Sequence, residues 1–343
     1  MTEVTEPIHV LITLPFDDDL LDTIRDVSDR INILHHPTSN PREIPDDVWS
    51  QAEVLYTLHT IPDPAVAPQL RWIQTHSAGV DRVLQQPLCQ AEDVMLTTTS
   101  GIHATNMTEY VFMMMLAFGH RLPALTANKN QANWPDDRFE TLVPLELRGS
   151  TVGIVGYGSI GREIAHIANA FGMTVLAVKR DVRQPADPDG YVLPGSGDPD
   201  GSYFQRLYPP EALVSMVREC DFVVITVPLT ESTRGMFNAD VLSAMRPTAF
   251  LINVGRGGVV DEVALLHALQ NGEIAGAGMD VFESEPLPED SPLWKLDNLI
   301  ISPHIAGNTL DYDKKAVRLF AENMERYIAR RDLLNVVDRT RGY

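Results

Sequence analysis

Three glycines with the spacing G-x-G-x-x-G constrain the fold of this chain more than any other feature. They lie in the segment VGIVGYGSIGREIA, where a β-branched run comes directly before them and a helical pattern follows. This context predicts a strand that turns tightly into a helix. Gly156 permits the turn, Gly158 lets other groups approach the backbone, and Gly161 allows the helix to pack closely on the strand. The feature therefore predicts a parallel α/β domain.

The first turn of the predicted helix has free N–H groups and a positive dipole end, which suit a phosphate group. We therefore predict a bound dinucleotide at this turn. A turn whose glycines serve only the fold is the alternative interpretation. The predicted cofactor contacts here are Gly156, Gly158, Ser159, Ile160 and Gly161.

Short β-rich runs alternate with helical patterns along the whole chain, which predicts parallel sheets covered on both faces. A length of 343 residues favours two such domains. In the first hundred residues, strands are predicted at Ile8–Leu14, Ile31–His36, Ala52–Leu58, Leu70–His76 and Val94–Ser100. After the strand that begins at Thr151, further strands are predicted at Met173–Val178, Asp221–Val227, Thr248–Val254, Gly276–Phe282 and Asn298–His304.

The remaining predicted elements are five helices and two segments without regular structure. The segment 123–147 is polar and rich in proline, so we predict an arm that lies over a surface, with that of a second subunit as one possibility. The segment 181–210 is dense in Gly, Pro and Asp, which predicts a long surface loop. The C-terminal helix has one apolar face, and packing on the first domain would bury it. Helices are predicted at Asp18–Ser28, Asp81–Ala91, Ala104–Leu122, Asp261–Asn271 and Leu310–Arg331.

Composition narrows the range of partners. The formal net charge is −20, and no stripe of Lys and Arg is visible, which argues against nucleic acid and against an anionic membrane surface. A small anionic substrate remains compatible, because one well-placed Arg outweighs a diffuse negative surface. The two cysteines, Cys89 and Cys220, fit no metal-binding spacing, so no metal is expected. The N-terminus lacks the pattern of a signal peptide, and we expect a cytoplasmic protein.

The end of the strand after the glycine turn bears on the choice of cofactor. NAD-binding chains are expected to carry Asp or Glu there, which accepts hydrogen bonds from the ribose hydroxyls. This sequence has Lys179 and Arg180 instead, with Asp181 one or two positions late. Because a cationic pair suits a 2′-phosphate, we predict NAD(P) with a preference for NADP(H). Alternatively, both cations are solvated and Asp181 binds the ribose of NAD; the loop that follows could alter the preference either way.

Residues capable of chemistry follow four strands of the second set, where ligands bind in open α/β sheets. Arg256, flanked by glycines, can grip a carboxylate at two points. His304 can donate a proton to an alkoxide that forms from a ketone. Glu285 could orient that imidazole, although Glu283 lies only two residues away. Asp280 is placed to hold a nicotinamide ribose or to orient Arg256.

The glycine array together with NVGRGGVVDEVAL, GAGMDVFESEP and SPHIAG resembles the D-isomer-specific 2-hydroxyacid dehydrogenase family. The resemblance implies Arg256, Glu285 and His304 as catalytic residues. It also implies a substrate-binding loop in HSAGVD, whose backbone N–H groups hold a carboxylate together with Arg256. The residues of that loop are Ser77, Ala78 and Gly79. Further cofactor contacts are expected at Val227, Pro228, Thr233, Val254, Gly255, Asp280 and Gly307.

The resemblance also implies a domain arrangement and a function. We expect an α/β protein with a discontinuous, flavodoxin-like substrate domain (residues 1–103 and 306–343). A doubly wound Rossmann domain that binds NAD(P) is inserted at 104–305, and the resemblance implies a homodimer formed through that domain. The expected reaction is hydride transfer between NAD(P)H and a small 2-oxo acid such as glyoxylate or hydroxypyruvate. The alternative is a scaffold that senses NAD(H), like the corepressors with the same fold.

Overall fold

The computed structural model describes residues 6–186 and 190–342, so residues 187–189 of the predicted surface loop lie outside the described part. The described residues form two compact units. The first unit takes the described residues of 1–102, 189–191 and 309–343, and the second takes those of 103–188 and 192–308. Which unit binds substrate and which binds nucleotide remains a prediction. Within the described residues, every helix is too short or too polar to cross a bilayer.

The first unit contains a sheet of five parallel strands in the order β2-β1-β3-β4-β5. This is the strand order of flavodoxin-like folds, so the predicted class of the first domain is confirmed. Each observed strand lies inside the range predicted for it. The strands are β1 Ile8–Ile12, β2 Ile31–His35, β3 Val54–Thr57, β4 Trp72–Thr75 and β5 Met95–Thr97.

The second unit contains a sheet of seven parallel strands in the order β12-β11-β10-β9-β6-β7-β8. The chain begins at β6, builds outward through β7, and returns to the other side of β6 at β9. This is the doubly wound Rossmann topology, whose ligand-binding crevice lies where the winding reverses. The strands are β6 Thr151–Val155, β7 Thr174–Val178, β8 Arg206–Tyr208, β9 Phe222–Ile225, β10 Phe250–Asn253, β11 Gly276–Met279 and β12 Leu299–Ile301.

Helices cover the sheets, with short 3₁₀ turns between them. The predicted cap of α10 is present, because the Asp261 side chain accepts hydrogen bonds from the N–H groups of Val263 and Ala264. Gly272 follows the helix with a left-handed φ of 67°. The helices are α1 Asp18–Arg25, α2 Asp46–Gln51, α3 Pro87–Gln90, α4 Ala104–Gly119, α5 Leu122–Asn130, α6 Arg138–Thr141, α7 Ser159–Phe171, α8 Leu213–Val217, α9 Ala239–Ala244, α10 Glu262–Gln270 and α11 Tyr312–Ile328.

Two predictions were wrong in extent, one of a helix and one of an irregular segment. The helix predicted at Asp81–Ala91 is reduced to α3, because Gln86 precedes Pro87 and adopts an extended conformation. The segment 123–147 is not wholly irregular: Pro123 lies in the first turn of α5, where its missing N–H costs nothing. The preceding helix, α4, ends at Gly119, and Arg121 enters the left-handed region before α5 begins.

The C-terminal helix returns to the first unit, as its apolar face predicts. Val317, Phe320 and Met324 on α11 are fully buried in the same core cluster as Tyr56 and Trp72. The Phe320 ring lies 4.4 Å from the Tyr56 ring and 5.1 Å from the Trp72 ring. Burial of each such side chain contributes about 1.5–3 kcal/mol, so this face holds α11 on the sheet.

The long loop after β7 is more structured than its composition suggests. Its last residues form β8, which pairs in parallel with β7. Arg162 on α7 is almost fully buried and donates to the carbonyl oxygens of Asp198 and Pro185 in this loop. The Tyr157 hydroxyl donates to the Asp198 carboxylate at 2.6 Å. These contacts fix the loop against the glycine turn and the start of α7.

Candidate active site

The carboxyl ends of β9, β10, β11 and β12 lie side by side, because these strands pair in parallel and in sequence order. The segments that follow them therefore gather at one edge of the second sheet. They carry Val227, Arg256, Asp280 and His304. His304 is three residues beyond the end of β12 rather than at the end itself, since the strand stops at Ile301. Nearly all residues of this unit that the sequence analysis predicted to be reactive therefore lie along this edge.

The glycine turn between β6 and α7 fits a dinucleotide. Gly156 has φ 107°, and a Cβ atom there would lie 2.7 Å from Thr226 Oγ1. A Cβ on Gly161 would lie 2.1 Å from the Gly156 carbonyl oxygen, so helix and turn are in close contact. A Cβ on Gly158 would meet nothing within 4 Å. The backbone that opens α7, with Ser159 and Ile160 in its first turn, is therefore accessible to a pyrophosphate, as the sequence predicts.

His304 and Glu285 form a hydrogen-bonded pair. His304 Nδ1 lies 2.8 Å from Glu285 Oε2, and the second oxygen, Oε1, accepts the backbone N–H of Phe282 at 3.1 Å. About half of the His304 side chain is exposed, so its Nε2 edge can be reached from solution. The partner of His304 in the structure is thus Glu285, and Glu283 instead binds Glu262 through its backbone N–H.

The environment keeps the Glu285 carboxyl ionised. Burial alone would raise the pKa of Glu285, but hydrogen bonds from His304 and from the Phe282 N–H oppose it. The positive charges of His304 and Arg256 act in the same direction, and the net effect holds the pKa below its ordinary value of 4.5. A carboxylate that is ionised at neutral pH favours the protonated imidazole beside it and fixes the orientation of the ring.

Arg256 lies on a loop that is fixed by its neighbours. The Asn253 side chain donates to the Arg256 carbonyl oxygen at 3.0 Å and accepts the Gly255 N–H at 3.1 Å. A Cβ on Gly257 would overlap the Phe282 backbone, at 1.9 Å from its carbonyl carbon. The Arg256 loop and the Glu285 loop are therefore in close backbone contact, which explains the glycine after the arginine.

Asp280 holds the loop that carries His304. Its carboxylate accepts hydrogen bonds from the Ser302 hydroxyl at 2.6 Å and from the N–H groups of Ile305 and Ala306 at 2.9 and 3.0 Å. The Asp280 carbonyl oxygen also accepts the His304 N–H at 2.8 Å. His304 has φ 52°, a left-handed conformation that is costly for a residue with a Cβ. These four bonds offset that cost, so Asp280 positions the histidine; its predicted contact with the cofactor remains a prediction.

The remaining predicted cofactor contacts lie around the same edge. Thr233 is buried, and its hydroxyl donates to the Pro228 carbonyl oxygen at 2.7 Å, which closes the turn after β9. A Cβ on Gly255 would lie 2.7 Å from the Val227 carbonyl oxygen, so the β9 and β10 ends touch. Val254 is buried beneath this contact, and a Cβ on Gly307 would lie 3.3 Å from the His103 ring.

Lys179 and Arg180 follow β7 on the other side of the glycine turn. The Lys179 ammonium donates to the carbonyl oxygens of Gln184 and Ala186 in the long loop. Asp181 is exposed, and its carboxylate accepts the Arg183 N–H at 2.9 Å. The first two residues after β7 are therefore cationic, and the carboxylate of Asp181 is bonded within a local turn.

The predicted substrate loop, Ser77–Gly79, belongs to the first unit and follows β4. The Ser77 carbonyl oxygen accepts bonds from Thr75 Oγ1 and from the Thr99 N–H. In residues 6–186 and 190–342, the backbone N–H groups of the three loop residues donate no hydrogen bond. A row of half-buried, unsatisfied N–H groups is the arrangement that binds an anion.

Sequence reasoning missed several positioning residues. Ser302 and Tyr110 extend the Asp280 cluster, with the Tyr110 hydroxyl 2.5 Å from the Ser302 hydroxyl. The roles of Arg162 and Asp198 were also missed. The position of Arg162 on the inward face of a helix could have indicated a buried charge. Its partner lies 36 residues away, and no sequence pattern identifies it. Among the described residues, no cluster of His, Cys, Asp or Glu has the geometry to hold a metal ion.

Comparison with known proteins decides the family. The family model described as "D-isomer specific 2-hydroxyacid dehydrogenase, NAD binding domain" matches residues 112–306, more than half of the chain. The chain belongs to the D-isomer-specific 2-hydroxyacid dehydrogenase family. It is similar to a glyoxylate reductase of Korarchaeum cryptofilum, with 32% identity over 277 residues, covering 79% of this chain and 78% of the relative.

Two solved structures of 2-hydroxyacid dehydrogenases are similar over almost the whole chain. An enzyme of this family from Xanthobacter autotrophicus, in complex with NADPH and MES, has a TM-score of 0.79 and 26% identity and covers 99% of this chain and 100% of its own. An NADPH-dependent glyoxylate/hydroxypyruvate reductase of Sinorhizobium meliloti, in complex with NADP and sulfate, has a TM-score of 0.77 and 26% identity, with 98% and 100% coverage.

Family membership confirms the predicted class of reaction. This 2-hydroxyacid dehydrogenase is an oxidoreductase that uses NAD(P) and transfers a hydride between that cofactor and a 2-oxo acid. Its small-molecule partner is therefore a 2-oxo acid or the corresponding 2-hydroxy acid. The predicted two-domain α/β architecture with a Rossmann unit is confirmed as well.

Proposed function

We propose that this dehydrogenase is an NADPH-preferring reductase of small 2-oxo acids, with glyoxylate and hydroxypyruvate as the first candidates. The observation that supports it most is the 2.8 Å pair of His304 and Glu285, which lies at the same sheet edge as Arg256. This edge combines a cation that can bind a carboxylate with a proton donor. The names of similar proteins, glyoxylate reductase and glyoxylate/hydroxypyruvate reductase, point to the same small substrates.

In this proposal Arg256 binds the 2-oxo acid. Its guanidinium forms two charge-assisted hydrogen bonds with the substrate and polarises the carbonyl group. The N–H groups of Ser77, Ala78 and Gly79 hold the substrate carboxylate as well. Asn253 holds the Arg256 backbone, and the Arg256 guanidinium itself donates to the Gly255 carbonyl oxygen at 2.9 Å.

His304 acts as the proton donor and Glu285 as the residue that orients it. When bound, the nicotinamide supplies the hydride that reduces the carbonyl carbon. As negative charge develops on the carbonyl oxygen, the protonated His304 donates its Nε2 proton to that oxygen. The Glu285 carboxylate, already bonded to Nδ1, stabilises the imidazolium before transfer. Gly156, Gly158 and the first turn of α7 would hold the cofactor pyrophosphate.

A spectrophotometric assay tests the proposal. Purified protein is mixed with NADPH or NADH and with glyoxylate, hydroxypyruvate, pyruvate and a bulkier 2-oxo acid, and the loss of absorbance at the nicotinamide band is followed. We expect turnover with glyoxylate and hydroxypyruvate, and a higher kcat/KM with NADPH than with NADH. Inactivity with every 2-oxo acid in the panel would contradict the proposal.

The preference for NADPH is argued from the residues after β7. The adenosine ribose of a Rossmann cofactor is recognised at the end of the second strand, and Lys179 and Arg180 supply two positive charges there. Asp181, the residue that could favour NAD, is turned to the Arg183 N–H. Similar structures contain NADPH or NADP.

Replacing Lys179 and Arg180 together with alanine is expected to lower kcat/KM for NADPH by about 10²–10⁴-fold, because each of the two charged hydrogen bonds to a phosphate contributes about 1.5–3 kcal/mol. The value for NADH should change by less than about threefold, since NADH lacks the 2′-phosphate. Steady-state kinetics with a fixed 2-oxo acid measure both values. Lys295→Ala, at an exposed position of the same unit, is the control. An equal loss with both cofactors would show that the pair does not read the phosphate.

We also propose that the protein is a homodimer formed through the second unit. The predicted arm, 123–147, exposes large apolar side chains, with Trp134 80% and Phe139 77% exposed. Large exposed apolar side chains that cluster in one segment are typical of a protein–protein interface. The exposed large apolar residues from α4 to the end of this arm are Met113, Leu116, Leu122, Leu125, Trp134, Phe139 and Val143.

Sedimentation velocity is expected to give twice the 38.1 kDa mass of one chain. Trp134→Asp combined with Phe139→Asp should shift the protein towards the monomer, since each change places a charge in the apolar surface. Val263→Asp, at another exposed apolar position of the second unit, should leave the mass unchanged. A wild-type protein that sediments as a monomer at micromolar concentration would contradict the proposed assembly.

A further inference from the structure

His76 comes directly before the Ser77–Gly79 loop, and its side chain has no part in the function proposed above. Only 8% of the residue is exposed. The imidazole contacts the rings of Phe16, Tyr56 and Tyr312 at centroid distances of 5.5, 5.5 and 5.1 Å. A histidine buried among aromatic rings needs hydrogen-bond partners for its ring nitrogens, because an unpaired buried polar group is costly.

Both ring nitrogens of His76 have partners. His76 Nδ1 lies 2.9 Å from the Tyr56 hydroxyl, and Nε2 lies 3.0 Å from the Asp313 carboxylate. An ionised carboxylate only accepts, so Nε2 carries the proton that binds Asp313. Nδ1 then accepts the proton of the Tyr56 hydroxyl. The three side chains form a chain of hydrogen bonds in one direction, from Tyr56 through His76 to Asp313, with a neutral imidazole.

Burial favours this neutral arrangement. Desolvation lowers the pKa of His76 from 6.5, although the hydrogen bond and the charge of Asp313 oppose the shift. Burial likewise raises the pKa of Tyr56 well above 10, with Tyr312 and Asp313 adding to the effect, so Tyr56 remains a donor. The titratable groups that face the imidazole are Tyr56 on β3 and Tyr312 and Asp313 on α11.

Acidification breaks the chain in a defined way. A protonated His76 donates from both nitrogens, so the Tyr56 hydroxyl would have to accept and its own proton would lose its partner. Because the pKa of His76 is lower in the folded protein than in the unfolded chain, the arrangement is fully favoured above the ordinary value of 6.5. It is lost as the pH falls from there through the folded value.

The backbone of His76 is tied to the same residues. Its carbonyl oxygen accepts the Tyr312 hydroxyl at 2.8 Å, and its N–H donates to the Thr57 carbonyl oxygen at 2.7 Å. The backbone N–H groups of the next three residues, Ser77, Ala78 and Gly79, donate no hydrogen bond within the described part of the chain. The orientation of those N–H groups therefore depends on how His76 is held.

We infer that Tyr56, His76 and Asp313 form a positioning triad that orients the Ser77–Gly79 N–H groups towards the carboxylate of the 2-oxo acid. The inference rests on the proposed function, because it assigns the triad to the carboxylate-binding loop of that site. The triad touches neither substrate nor cofactor. Its effect falls on the affinity for the acid rather than on the chemical step, and it weakens as His76 becomes protonated.

The test compares Tyr56→Phe with Tyr327→Phe in the active protein. Tyr56→Phe removes the donor to Nδ1 and keeps the ring, and it is expected to raise KM for the 2-oxo acid about tenfold, the equivalent of one lost hydrogen bond. The values of kcat and of KM for NADPH should stay within twofold. Tyr327 is the matched control, since it also donates a hydrogen bond in the first unit, at 2.6 Å to Glu53, away from the loop. Tyr327→Phe should leave all three constants unchanged.

Two further measurements separate positioning from general destabilisation. The KM of the wild-type protein should rise relative to that of His76→Gln as the pH falls below about 6.5, because glutamine keeps a donor for Asp313 and cannot titrate. Nitrogen-15 spectra of labelled histidines should show His76 at pH 7 as the neutral form protonated at Nε2, without any need for turnover.

Four outcomes decide the matter. A tenfold rise in KM confined to Tyr56→Phe, with the neutral form in the spectra, supports the triad. An unchanged KM in an active Tyr56→Phe protein overturns it, and so does a His76 protonated at Nδ1 at pH 7. A wild-type protein without activity on any 2-oxo acid overturns the proposed function, and with it the assignment of the loop to a carboxylate.

Discussion

Replacing His304 with alanine is expected to lower kcat for 2-oxo acid reduction by about 10²–10⁴-fold, the usual contribution of a positioned proton donor. The loss follows from geometry. The imidazole is held at φ 52° by the Asp280 cluster and oriented by Glu285 at 2.8 Å, so no neighbouring group can take its place without reorganisation. The affinity for NADPH, measured by quenching of protein fluorescence, should change little.

A companion variant and a control define this result. Glu285→Gln keeps the hydrogen bond to Nδ1 but removes the negative charge that stabilises the imidazolium, so kcat should fall below that of the wild type. His267→Ala, at an exposed position on α10, should have no effect. If His304→Ala retained more than a tenth of the wild-type kcat, proton donation by His304 would have to be abandoned.

Replacing Arg256 with lysine is expected to lower kcat/KM for the 2-oxo acid by about 10²–10³-fold, although the positive charge is kept. A lysine ammonium makes a single strong contact, whereas the guanidinium makes two in a fixed plane. The loop cannot adapt to the change, because Asn253 binds it and Gly257 lies against the Phe282 backbone. Most of the loss should appear in KM if the guanidinium binds the carboxylate alone, and in kcat as well if it polarises the carbonyl group.

Arg218→Lys, at an exposed position of the second unit, is the control for Arg256→Lys and should behave as the wild type. Circular dichroism at the assay temperature verifies that both variants are folded. A kcat/KM within threefold of wild type for Arg256→Lys would contradict two-point binding by this side chain. The Arg256→Ala variant should then be measured, because it removes the charge as well.

Much of the fold was accessible from the sequence. The predicted strands lie around the observed ones because buried parallel strands are continuous apolar runs, and such runs are visible without an alignment. The glycine turn was equally plain, since Gly156 adopts φ 107° where other residues are strained. The helix predicted at 81–91 failed through a local effect, the extended conformation of Gln86 before Pro87.

The candidate site was accessible only in part. Arg256, Asp280 and His304 follow predicted strands, and parallel strands bring their ends to one edge, so their proximity could be predicted. From the residues alone Glu283 could be confused with Glu285, and the family resemblance implied Glu285. The structure decides for Glu285, whose carboxylate lies 2.8 Å from His304 Nδ1, whereas Glu283 contributes its backbone N–H to the Glu262 carboxylate.

By itself, the sequence determined the local structure and which reactive residues follow which strands. Both depend on residues that are near neighbours along the chain. Tertiary structure alone decided the contacts between distant residues: His76 with Asp313, 237 positions apart, Arg162 with Asp198, and Asp280 with the His304 loop. The physical reason is that a hydrogen bond of a buried side chain needs a donor and an acceptor about 3 Å apart and correctly oriented. Such precision arises only when the packed elements have come together.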